Sequence, residues 1–159
     1  MFKNVIWATD GSEAADHALA YAKALVDPAG GTLYVVHAEE HFYGGRSGGY
    51  PVLADEEDLK AKIRSQVAEL RTGGLDVSLE IALGHPGQSA HAIPEFAREH
   101  GADVIVVGTR GLGPVHGLLV GSVTHRLLHT SPCPVFAVPA SRVPADGETE
   151  RELAGTARS

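Results

Sequence analysis

A chain of 159 residues, 43% apolar and 21% charged, fits one domain with a core large enough to need no staples. Its formal charge of −7 argues against nucleic acid as the main partner, because polyanions are gripped by basic faces; a small anion held by backbone N–H groups stays open. The one cysteine, Cys133, rules out an internal disulfide and fits a reducing cytosol.

Residues 5–8 form a short apolar run, predicted as a buried strand. Asp10-Gly11-Ser12 ends it. Ser12 is placed to cap a helix over 13–26, whose Ala15, Ala18, Leu19, Ala22 and Leu25 or Val26 recur at helical spacing. Trp7 is bulkier than the small aliphatics expected beside it, and either fills core or crowds the end of the strand. Glycines and Pro28 stop the helix, and the β-branched and aromatic run 32–37 reads as a second strand. Residues 39–54, interrupted by four glycines and Pro51, read as a mobile surface loop. A charged amphipathic helix over 55–71 follows, with Leu59, Ile63, Val67 and Leu70 on one face.

Residues 77–83 alternate as a less central strand does, and 84–87 make a turn. A helix over 88–100 carries Pro94, expected near its first turn or at a kink. The remaining expectations are a strand at 103–107, a helix at 122–129 and a strand at 135–138. Cys133 lies between two prolines before that last strand, where a structural thiol is expected in preference to a redox switch. Residues 1–140 are expected to form the domain, and the polar tail 141–159 to be disordered. No charged leader with an apolar core opens the chain, and no run reaches the roughly 20 apolar residues that span a bilayer. A cytoplasmic protein without a membrane partner is expected. Strands alternating with helices imply an α/β domain: a parallel sheet in three layers, with helices on both faces.

The most informative segment is Gly108-Thr109-Arg110-Gly111, which follows a strand, with Gly121-Ser122 opening the next helix. Glycines let backbone approach a ligand, and a helix start offers unpaired N–H groups and partial positive charge, a combination suited to phosphate. Other nucleotide motifs fail. There is no Gly-x4-Gly-Lys-Ser/Thr, and the turn after the first strand is not Gly-x-Gly-x-x-Gly. Of nine histidines, His125 and His129 share a helix face, but no zinc-type spacing accompanies them, so core or surface roles are expected. His116, inside the glycine loop, is either a phosphate contact or a plain loop residue. His37 is expected to pack or to bond backbone. No catalytic set is evident.

The spacing of Gly108, Gly111, Gly121 and Ser122 resembles the nucleotide loop of the universal stress protein family, in its ATP-binding branch. Residues 5–13, 102–108 and 131–135 resemble that family's first strand and acidic turn, fourth strand and entry to the last strand. The resemblance implies five strands in the order 3-2-1-4-5, an adenine nucleotide alpha hydrolase-like fold. It also implies a nucleotide site. The backbone of Gly108 and Gly111 lines the phosphates, next to Val107, and Arg110 supplies a cation. Gly121, Ser122, Val123 and Thr124 offer amides and two hydroxyls, to phosphate oxygens or an attendant Mg2+. Asp10 accepts from the ribose, Ala8 and Thr9 border the adenine, and Ala38 meets its edge through backbone. Asp10, Ser122 and the glycines also have plain readings as turn and cap residues. The implied partners are an adenine nucleotide (ATP, or ADP or AMP), an unknown protein, and a second copy joined through the last strand, Val135 to Val138. The expected function is that of an ATP-binding regulator of the stress response with little turnover. The alternatives are a slow Mg-dependent ATP hydrolase or phosphotransferase, and a dimeric interaction module indifferent to nucleotide.

Overall fold

A computed structural model describes residues 1–40, 53–84, 89–109 and 121–139. The predicted loop at 39–54 (from 41 to 52), the turn at 85–87, Arg110, Gly111, His116 and the tail lie outside these residues. Among the described residues nine elements alternate: β1 (Asn4–Ala8), α1 (Glu13–Leu25), β2 (Thr32–Glu40), α2 (Leu53–Thr72), β3 (Asp76–Gly84), α3 (Ser89–Glu99), β4 (Val104–Gly108), α4 (Ser122–Thr130) and β5 (Val135–Val138). The strands form one parallel sheet in the order β3-β2-β1-β4-β5, as the resemblance implied.

The period-2 alternation of the strands divides the core in two. Val5 and Trp7 of β1 join Leu33, Val35, Val104 and Val106 under α1 and α2. Ile6 and Ala8 join Val36, Ile105 and Val107 under α3 and α4, against Ile93, Ala97 and Leu127. Both faces of the central strands are therefore covered, which is why β4 reads as an unbroken apolar run. Ser12 caps α1 by accepting from the Ala15 amide at 3.3 Å, and Ala15, Ala18 and Ala22 turn inward. Small side chains on that face let α1 sit close to β1 and β4. Trp7 fills core: it is fully buried, and its Nε1–H donates to Ala15 O at 2.9 Å.

Several details differ from the sequence reading, among them the start of α2 at Leu53 and the end of β3 at Gly84. β2 runs to Glu40 because Glu39 and Glu40 pair with Leu83 and Gly84 of β3, a register that composition alone does not reveal. Pro94 lies inside α3, beyond its first turn, and is buried. Asp103 precedes β4, and its Oδ2 accepts from the amides of Lys3 and Asn4, each at 2.8 Å, so it anchors the start of β1.

Candidate functional site

β1 and β4 are neighbours whose following helices cross opposite faces of the sheet. Their ladder runs from Val5↔Val104 to Ala8↔Val107. Beyond it the two chains turn away from each other. The Thr9 amide donates to Val36 O at 3.0 Å, and the Thr109 amide to Val138 O at 2.8 Å. A crevice opens where strand order reverses, the place where ligands bind in open parallel sheets.

On one side stands the turn after β1. Thr9 is buried, and Asp10 is half-buried. Gly11 takes φ +74°, a left-handed conformation that favours glycine, and a Cβ there would run into Leu59. Local side chains fix the turn: Gly11 N–H donates to Thr9 Oγ1 at 3.1 Å and Ser12 N–H to Asp10 Oδ1 at 3.0 Å. Asp10 thus presents an acidic group from a rigid turn, with one oxygen already accepting an amide. Ala38, half-buried near the end of β2, packs against the α3–α4 core with Ala8 and Val107.

On the other side stands the start of α4. Gly121 is its N-cap and brings no side-chain cap, and the first turn has no acidic residue. The first intrahelical bond is from His125 N–H to Gly121 O at 2.9 Å. The amides of Ser122, Val123 and Thr124 are therefore those an α-helix leaves without an acceptor inside itself, at its electropositive end. Two bonds hold this end to β4: Gly121 N–H to Thr109 O at 2.6 Å and Thr124 Oγ1–H to Gly108 O at 2.8 Å. The Thr124 hydroxyl is buried and its proton is committed, so its contribution is to fix the helix end. The absent side chain of Gly108 has its own cause: a Cβ would lie 2.8 Å from Ala14 O and 2.9 Å from Ala14 C, in the first turn of α1.

The structure thus brings Ala8, Thr9, Asp10, Ala38, Val107, Gly108, Gly121, Val123 and Thr124 to the C-terminal edge of the sheet, with Ser122 in the first turn of α4. Arg110 and Gly111 fall outside the described residues. Among the described residues no three His, Cys, Asp or Glu side chains converge to hold a metal. His125 and His129 are exposed and contact each other edge to face, centroids 4.8 Å apart. Cys133 is half-buried, and burial pushes its thiol up, which disfavours the reactive thiolate. His37 does bond backbone, through Nδ1 to Thr9 O at 2.9 Å, but its Nε2 also meets Glu56 Oε1 at 3.0 Å. Glu56 had no signal in the sequence: it belongs to a charged helix face, and only the fold brings it to β2.

These elements define a doubly wound parallel α/β protein whose strand order reverses between β1 and β4. The model of the universal stress protein family matches residues 1–139, and the chain belongs to that family. The universal stress protein in the QAH/OAS sulfhydrylase 3′ region of Thermus aquaticus is 40% identical over 140 residues, which span 87% of this chain and 99% of the relative. Among solved structures, the hypothetical protein MJ0577 superposes with a TM-score of 0.72 at 26% identity, covering 89% of this chain and 99% of the other. A universal stress protein in complex with cAMP superposes with a TM-score of 0.64 at 27% identity, covering 88% and 99%. No helix among the described residues is long and apolar enough to cross a membrane.

Proposed function

We propose that this protein binds an adenine nucleotide, ATP in the first place, and acts as a nucleotide-dependent regulator of the stress response in the cytoplasm, with little or no turnover. The observation that carries this reading is the pairing of an uncapped helix start at Gly121 with the rigid acidic turn at Asp10, on opposite sides of the switch-point crevice. The amides of Ser122, Val123 and Thr124 suit phosphate oxygens; the family resemblance adds Gly108, Gly111 and Arg110 as phosphate contacts. Asp10 suits ribose hydroxyls, and Ala8, Thr9, Ala38 and Val107 suit the base. The solved relative that holds cAMP supports the adenine class. Any Mg2+ enters with the nucleotide, held by phosphate oxygens and water.

Calorimetry on nucleotide-free protein with ATP, ADP, AMP and cAMP tests the reading, together with a phosphate-release assay. Saturable binding with phosphate release at background is expected. Absence of binding to all four overturns the reading, and turnover abolished by Asp10→Ala favours the hydrolase.

Assembly through β5 is a second part of the proposal. β5 is an edge strand whose Phe136 is 43% exposed and packs on the equally exposed Tyr21, centroids 5.7 Å apart. An apolar edge of this kind calls for cover, and a second copy supplies it. Light scattering is expected to give a dimer that Phe136→Glu converts to monomer.

A further inference from the structure

Three side chains of α2 reach toward the turn after β1. Glu56, Leu59 and Lys62 follow one another at three-residue steps, so they line one side of that helix, and each meets the turn after β1 directly or through one intermediary. Leu59 packs where a Cβ on Gly11 would stand. Lys62 Nζ donates to Gly11 O at 2.7 Å and to Asp16 Oδ2 at 2.6 Å. Glu56 acts through His37, a buried imidazole between α2 and β1.

The chemistry of that imidazole is determined by its neighbours. A carbonyl only accepts, so the proton facing Thr9 O sits on Nδ1. Its Nε2 lies 3.0 Å from Glu56 Oε1, so the ring links the turn after β1 to α2. Through His37 and Lys62, α2 holds the carbonyls of Thr9 and Gly11, the residues that flank Asp10.

We propose that His37, Glu56 and Lys62 are positioning residues for the nucleotide site, clamping the main chain on both sides of Asp10 so that the turn carrying it stays fixed. The proposal rests on the nucleotide reading above, and two measurements separate them. One is hydrogen exchange of the Gly11 and Ser12 amides in nucleotide-free protein. The other is ATP affinity by calorimetry.

His37→Phe keeps a ring in the slot and removes both bonds. Exchange at Gly11 and Ser12 is expected to accelerate about tenfold and ATP to bind about tenfold more weakly, while the Ile6 and Trp7 amides stay protected. Glu56→Ala is expected to do the same, and carries the test if His37→Phe does not fold. Glu56→Gln is expected to behave as wild type, because its amide N–H donates to Nε2 and keeps the link. Unchanged exchange in Glu56→Ala, or equal damage from Gln and Ala, overturns the clamp. Faster exchange with unaltered ATP affinity overturns its role in positioning and leaves nucleotide binding standing. A wild-type protein that binds no adenine nucleotide overturns the function, while exchange still decides whether α2 holds the turn.

Discussion

The N-termini of α1 and α4 lie at the same edge of one sheet, after neighbouring strands, and are finished in opposite ways. At α1 the protein satisfies itself. Ser12 caps the Ala15 amide, Glu13 and Asp16 put negative charge in the first turn, and Gly108 lets the backbone of Ala14 press onto β4. At α4 the cap is Gly121, with no side-chain cap bond and no acidic residue in the first turn. Both helices carry the same dipole, but only α1 has a side-chain cap and acidic residues in its first turn. Two helix starts at one sheet edge are thus set apart by their caps and first-turn charges.

The sharpest way to break this contrast is to give α4 the finish that α1 has. Gly121 has φ −67° and ψ 160°, a conformation aspartate adopts without strain. Gly121→Asp should weaken ATP binding on the order of 100-fold, since a carboxylate then occupies the anion end. Denaturant unfolding should show stability unchanged or raised by about 0.5 kcal/mol from the new cap. A loss of affinity accompanied by lost stability would mean that the open end is ordinary structure.

Next in size is the packing under α1. Gly108→Ala drives a methyl against backbone that cannot swing aside, and should cost about 1–3 kcal/mol by urea denaturation. Ser12→Ala removes a cap and should cost about 1 kcal/mol, with ATP affinity in calorimetry unchanged; a change in affinity would show that α1 also faces the ligand.

The smallest effect is a control at the opposite edge of the sheet. Lys3 Nζ lies 2.9 Å from Asp27 Oδ2, and the Ala29 amide donates to Oδ1 at 3.0 Å. First the lysine and then that amide hold the Asp27 carboxyl below its ordinary value of 3.8. The resulting stabilisation is present above that value and fades as pH falls through the lowered one. Lys3→Ala should move the carboxyl upward in an NMR pH titration and leave nucleotide affinity at neutral pH untouched.

Much of this arrangement was legible in the chain. Ser12 as a cap, the inward row of α1 and the bounds of β5 follow from local chemistry and spacing, and Gly121 stood out as a helix start after a glycine-rich turn. What escaped depends on partners far along the chain. The glycine at 108 suggests a ligand approach when read alone, yet in space its missing side chain is claimed by Ala14. Thr124 looked like a free hydroxyl, and its proton goes to Gly108 O. The His37–Glu56 contact has no periodic trace, because it joins a strand end to a helix across a glycine-rich stretch.

The single tryptophan of the chain sits one residue short of the crevice, wholly enclosed and bonded to Ala15 O. Its indole gives the molecule a built-in optical probe, with blue-shifted emission while β1 stays covered by α1 and a red shift when that cover is lost. Fluorescence from an unlabelled sample therefore follows unfolding at the strand that carries the acidic turn.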